Sequence, residues 1–258
     1  MCLIAFAHKS HPHYPLILVG NRDEFHERPT APMDWWQSEN LLAGRDLRSG
    51  GTWLAISPEG RLTALTNYRS GLKEQAEYSR GELPVALTNT GDPIQRLEQL
   101  RQEQSGYAPF NLLVLDQLQA LSYTSEDAAC ARTLEPGIHG LSNGLLNSGW
   151  PKVKAARQAL GSSLSKTPES TQALHDSLIS AFRNDQQATD NALPNTGIGL
   201  PLERLLSPMF ICDPSYGTRA TTVVTLDSQG QCSVSEQTYG PDGVAGEQRR
   251  FHWQASPS

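Results

Sequence analysis

The first 25 residues constrain the chain most. Cys2-Leu3-Ile4-Ala5-Phe6 is an apolar strand, a turn rich in histidine and proline follows, and Leu16-Ile17-Leu18-Val19-Gly20 runs into Asn21-Arg22-Asp23-Glu24. Two apolar runs separated by such a turn predict an antiparallel hairpin. The turn joins their far ends, so Cys2 and the polar row share the other end. Side chains alternate along a strand, which sends Asn21 and Asp23 to one face and Arg22 and Glu24 to the other.

Composition narrows the class. The 258 residues are 38% apolar and 19% charged, as in a soluble globular chain. A net charge of −6 argues against non-specific nucleic-acid binding and against attraction to anionic lipid. The longest apolar runs, such as 15–20 and 112–115, are far too short to span a bilayer. No basic residues precede the apolar stretch 3–7, so no secretory signal is expected. Cys2, Cys130, Cys212 and Cys232 form no Cys-x-x-Cys pair, which suggests neither a zinc site nor a disulfide framework and favours a reducing, cytoplasmic location. No proline- or serine-rich linker divides the chain, so one domain over 1–258 is expected.

Along the chain, residues 26–51 read as loop. Two strands, 52–57 and 61–67, flank the turn Pro58-Glu59-Gly60. Residues 70–81 read as irregular, a helix opens at 83–89, and Asp92-Pro93 signals an N-cap with proline at the first helical position. Strands are expected at 111–115 (apolar throughout, hence buried on both faces), 118–124 and 134–141. Helices are expected at 151–160 and 168–182, a loop at 185–200, and strands at 209–212, 221–226, 232–238 and 250–253. Helices that must cover sheets predict a layered α+β architecture.

Cys2 is the chemically suggestive residue, although a buried strand cysteine is the ordinary alternative. Removal of Met1 would place an α-amine, with a pKa near ~7.7–8.0, beside the thiol as its own general base. While Met1 stays, Cys2 has no free amine. Asp23 or Glu24 would hold that amine, and Arg22 would lower the thiol pKa or bind a carboxylate. The bland reading of the row 21–24 is a solvated strand end. Gly50-Gly51-Thr52-Trp53 and Tyr216-Gly217-Thr218-Arg219 each place a glycine turn before a strand, and Arg219 adds a cation to an apolar run. In Leu141-Ser142-Asn143-Gly144, the Asn143 amide is a candidate oxyanion donor. His8, His11 and His13 have spacings compatible with a metal but fall in a polar turn, so a solvated loop and no metal site are expected. Trp35, Trp36, Trp53 and Trp150 read as core or pocket wall.

These blocks, with Gly44-Arg45-Asp46, Leu65-Thr66-Asn67, Ser79-Arg80-Gly81, Phe110-Asn111-Leu112 and Trp150-Pro151-Lys152-Val153, resemble in order those of the NRDE family, also called the transport and Golgi organisation protein 2 family. The resemblance implies an N-terminal-nucleophile hydrolase-like fold, a four-layer αββα sandwich. Similar folds in the bile-salt hydrolase and penicillin acylase group place the catalytic set at Cys2, Glu24 (or Asp23), Asn143 and Arg219. The candidate ligand-binding residues are Asn21, Arg22, Arg45 and Trp53. The resemblance implies either a haem-trafficking carrier for haem or another amphipathic acyl ligand, with no required cofactor, or a cysteine amidohydrolase cleaving a linear non-peptide C–N bond.

Overall fold

The computed structural model describes residues 2–71, 76–126, 131–166 and 168–256. Strands β1 (Cys2–His8) and β2 (Leu16–Phe25) form the expected hairpin, with Cys2 opposite Arg22 and His8 opposite Leu16. Residues 26–51 are not the expected loop. They hold β3 (Thr30–Trp36) and β4 (Leu41–Asp46), paired antiparallel. Proline at 32 and a register shift between Ala31 and Asp34 hide the strand signal, and both are features that edge strands tolerate.

β5 (Leu54–Ile56) and β6 (Leu62–Asn67) form the second hairpin. Helix α1 (Glu82–Thr88) and helix α2 (Pro93–Glu103) follow, the latter capped by the Asp92 carboxylate, which accepts from Ile94 N and Gln95 N. β7 (Phe110–Leu115) is buried along its whole length, as its apolar run predicts. β8 (Ala120–Thr124) and the short β9 (Arg132–Thr133) extend that sheet. Of the strand expected at 134–141, only β10 (Gly137–Leu141) forms. Helices α3 (Pro151–Leu164) and α4 (Thr171–Ala181) come next, α4 starting at the Ser170 cap.

Residues 209–212 are not a strand. Phe210 N donates to Asn184 O and Ile211 N to the Thr218 hydroxyl, so no ladder remains for them to join. Helix α5 (Leu200–Leu205) starts at the end of the stretch read as loop. β11 (Tyr216–Leu226), β12 (Gln231–Tyr239) and β13 (Ala245–Gln254) complete the chain. Cys130 lies outside the described residues. His8 departs from the solvated-turn reading: it ends β1, buried, with its Nε2 on Asp116 O, while His11 and His13 stay in the turn.

Among the described residues the strands form a six-stranded sheet, β10-β1-β2-β11-β12-β13, and a seven-stranded sheet, β3-β4-β5-β6-β7-β8-β9. All the pairings are antiparallel. The inner faces meet through Ile4, Phe6, Leu18 and Val224 on one side and Leu54, Ile56, Leu62 and Leu113 on the other. Leu3, Ala5, Ile17 and Val19 point the opposite way, against α3 and α4. Leu65, Leu112 and Val114 face α1 and α2. Strands β1, β2 and β7 are thus apolar on both faces, and the layer order is the αββα sandwich that the family resemblance implies.

Helix α4 carries a buried titratable group. His175 sits between Ser235 (Nδ1 to Oγ, 2.9 Å) and Thr225 (Nε2 to Oγ1, 3.0 Å), and burial pulls its pKa down to about 4. The fold therefore holds the neutral ring. Its contribution is fully present above the unfolded value of about 6.5 and is lost as pH falls towards 4. Urea unfolding should show His175→Gln reducing the stability lost between neutral pH and about pH 4 by up to roughly 3 kcal/mol relative to wild type. Parallel pH dependences for the two proteins would refute this.

Candidate functional site

The site is built at one end of the β1–β2–β11 ribbon. β2 sets Arg22 opposite Cys2 on one side and opposite Ala220 of β11 on the other. Asp23 pairs with Thr218, and Arg219 is the extra residue at the bulge between Thr218 and Ala220. On the far side of β1, β10 pairs Leu141 with Ile4, so the chain leaving β10 carries Ser142 and Asn143 past Cys2. The Ser142 hydroxyl donates to Cys2 O (3.1 Å).

A cavity of about 840 Å³ opens here between the two sheets, with Cys2 in its wall. Five arginines line it: Arg22, Arg28, Arg45, Arg80 and Arg219. Arg28 Nε bonds Asp46 Oδ2 at 2.5 Å and lies 3.8 Å from Glu24 Oε2. Arg45 stacks on the Trp36 ring (4.0 Å to its centroid), donates to Gly50 O and pairs with Glu39. Arg80 donates to Pro109 O. Arg22 stands apart. It makes a 3.6 Å ion pair with Asp46 and no hydrogen bond among the described residues.

The residues singled out from sequence divide as follows. Cys2, Asp23, Glu24, Arg219, Arg22, Arg45 and Trp53 all line the cavity, whereas Asn21 and Asn143 do not. Asn21 is wholly buried on the helix side, donating to Phe182 O and Met209 O and accepting from Thr221. Its role is to tie β2 to the segments after α4. Asn143 is also buried, with its Nδ2 given to Asn67 O (3.0 Å) and its Oδ1 accepting from Ser142 and Arg69. Arg219 spends its guanidinium on the turn after β2, donating to the carbonyls of Phe25, His26 and Arg28. Trp53 packs under Gly20, where an added Cβ would lie 3.1 Å from the indole. Of the two carboxylates, Asp23 is the buried one, held by the Thr218 hydroxyl at 2.8 Å, while Glu24 accepts from its own neighbour, Phe25 N.

Burial dominates the electrostatics. It pushes the Cys2 thiol up to about 11, with the Arg22 charge opposing and the Asp23 charge reinforcing the shift. Asp23 is raised by the same desolvation, offset first by the positive charge of Lys152.

Lys152 was not singled out as a site residue from sequence. It occupies the first turn of α3, is 4% exposed, and burial brings it down to about 8. The sequence does carry a signal: a lysine directly after an N1 proline opposes the helix dipole and calls for a carboxylate nearby. Arg69 and Glu203 were also missed. They form an enclosed ion pair (2.8 Å) whose side chains are 6% and 4% exposed, and Arg69 N donates to Asn143 O. Their positions, 134 residues apart, give no local signal.

Among the described residues, no group of three or more His, Cys, Asp or Glu side chains is placed to hold a metal ion. Nor is any helix there long and apolar enough to cross a membrane.

Fold and site together define an αββα protein that presents a cysteine at the start of its first strand to an arginine-lined cavity. The chain belongs to the transport and Golgi organisation 2 family, whose model matches residues 1–241. The transport and Golgi organization protein 2 homolog of Bos taurus is 34% identical over 260 residues, covering 92% of this chain and 93% of the relative. The Homo sapiens homolog is 33% identical with the same coverage, and the Drosophila melanogaster protein is 28% identical over 98% of this chain and 97% of its own. Solved structures with similarity include the Caenorhabditis elegans ortholog of N-acylethanolamine-hydrolyzing acid amidase (TM-score 0.45, 12% identity, 86% of this chain and 92% of that one). The C2A mutant of conjugated bile acid hydrolase from Clostridium perfringens gives a TM-score of 0.40 at 10% identity, over 99% and 98% of the two chains.

The glycine pair before Trp53 has a steric basis. Asp46 N donates to Gly51 O and Thr52 N to Gly81 O (both 2.9 Å), which draws two cavity-wall segments together at Gly51. A Cβ on Gly51 would run into the Gly81 carbonyl group, backbone against backbone. Gly51→Ala should therefore cost about 2 kcal/mol in urea unfolding. Gly91→Ala, facing open space, should stay within about 0.5 kcal/mol of wild type. Equal stabilities for the two variants would contradict this packing.

Proposed function

We propose that the cavity binds an amphipathic organic anion, haem or an acyl compound, and that the protein acts as its intracellular carrier. The carrying observation is Arg22. Its guanidinium lines the cavity beside Cys2, and its paired partner, Asp46, is shared with Arg28. A carboxylate or phosphate entering there would gain bidentate, charge-assisted hydrogen bonds. Trp53 in the same wall supplies an apolar surface for the rest of such a ligand. No histidine or methionine is among the described lining residues, so haem would be held by its propionates, with the Cys2 sulfur as the soft donor in the wall.

Haemin and oleate, titrated separately into purified protein, test this. At least one should bind saturably, haemin with a Soret shift, and Arg22→Ala should weaken that binding by at least about tenfold. Absence of saturable binding by both ligands, or equal affinity for the variant, would overturn the proposal.

A second reading, a cysteine amidohydrolase acting on a linear non-peptide C–N bond, is favoured by Cys2 standing in the cavity wall next to the register position of Asp23. With Met1 removed, the α-amine of Cys2 would take the thiol proton. The thiolate would attack the carbonyl carbon, and the C–N bond would break as the proton passes to the leaving nitrogen. Water would then cleave the thioester. With Met1 in place, a thiol raised to about 11 is mostly protonated at neutral pH. On this reading, intact mass of protein from its native cell shows Met1 removed. Complete retention would rule the reading out.

A further inference from the structure

We propose that Lys152 is a positioning residue for Cys2: a buried ammonium that, together with the carboxylate of Asp23, sets the local charge under which the thiol reacts. The inference rests on the Cys2 corner itself and on neither reading of the ligand.

Three observations bring Lys152 there. Its neighbour Val153 packs in the same apolar layer as Leu3 and Ala5 of β1. Trp150, two residues earlier, lies against Gly144, where an added Cβ would be 2.9 Å from the indole. Residue 152 is therefore clamped over the junction of β1 with the 142–144 segment. Its Nζ is enclosed and has no hydrogen-bond partner among the described residues.

Lysine ordinarily extends its stem so that the ammonium reaches water. Here the head is shut in, and it sits at a helix N-terminus, where the dipole disfavours a cation. What offsets those costs is the field of Asp23, the largest favourable charge acting on it. The register places Asp23 next to Arg22, the residue opposite Cys2.

The other charged or titratable groups acting on Lys152 are Arg69 after β6, Cys2 of β1 and Glu203 of α5. Those acting on Cys2 are Asp23, Arg22 and Glu24 of β2, and Tyr216 of β11 is coupled to Cys2 as well. Lys152 supplies the cation on the helix side and Arg22 the cation on the cavity side. Both favour the thiolate, and both would favour the unprotonated amine of a processed Cys2.

The test reads thiol reactivity and needs no ligand. Alkylation of Cys2 by iodoacetamide is followed by peptide mass spectrometry between about pH 6 and 10, with the exposed Cys212 as internal reference. Lys152→Met should slow Cys2 alkylation about tenfold near pH 7, the difference closing as pH rises past about 8 where the lysine loses its charge, while Cys212 is unchanged. Lys152→Arg, which keeps the charge, should retain the wild-type rate near pH 7. A Cys2 profile unmoved in folded Lys152→Met would overturn the proposal. Should that variant fail to fold, the pair is read from the lysine side by carbon-13 NMR of the Cε groups. Asp23→Asn should then lower the titration midpoint of Lys152 by about one pH unit, and an unmoved midpoint would overturn the proposal.

Discussion

Pairing of β1 with β2, in the register that sets Cys2 against Arg22, governs the rest of the molecule. Strand side chains alternate, so this register sends Cys2, Ile4, Phe6, Leu16 and Leu18 to the inter-sheet core and Leu3, Ala5, Ile17 and Val19 to the helices. A slip of one residue would exchange the two sets. Arg22 would leave the cavity wall for the helix layer, which already holds the buried cation Lys152. Both faces are buried, so the apolar pattern and the charged corner enforce the same register. The β11 pairing then extends it, and the bulge at Arg219 turns that guanidinium onto the carbonyls that close the β2–β3 turn.

The arginines of the cavity are for the most part engaged before any ligand arrives. Arg28 is bound to Asp46 and Ser49, Arg45 lies on Trp36, and Arg219 is spent on backbone oxygens. Their side chains are thus held in place, and a ligand meeting this wall has little ordering cost to overcome there. Asp46 is the centre of this arrangement. It accepts from the Arg48 and Ser49 amides as well as from Arg28, which holds its pKa below the usual carboxylate range despite burial. A carboxylate so committed is a weak competitor for Arg22 at 3.6 Å.

What could be read from sequence is what depends on neighbours in the chain. The first hairpin, the alternation at 21–24 and the helix starts at Asp92-Pro93 and Pro151 are written in consecutive residues, and all three are found. β3 was hidden by Pro32 and its bulge, and α5 by its short length and a start at Gly199, which has no side chain to cap it. The apolar run at 209–212 has strand composition but packs without a ladder, since burial of Met209, Phe210 and Ile211 is achieved from a loop. Asp23, Arg69, Lys152 and Glu203 come from four separate stretches of the chain, and packing alone gathers them. Only the misplaced charge of Lys152 at a helix start hinted at this.

The two faces of β2 also bear on what the corner can do. Cys2 and Asp23 both line the cavity, and Asp23 is also the largest favourable charge acting on Lys152 of the helix layer. The backbone nitrogen of Cys2 stands at the start of β1, next to its own thiol. As an amide, that nitrogen is neither a base nor a cation, and the buried thiol stays protonated at neutral pH. As a free amine, it would stand beside its own thiol and take its proton. One covalent event at the first peptide bond therefore decides whether Cys2 has a general base of its own.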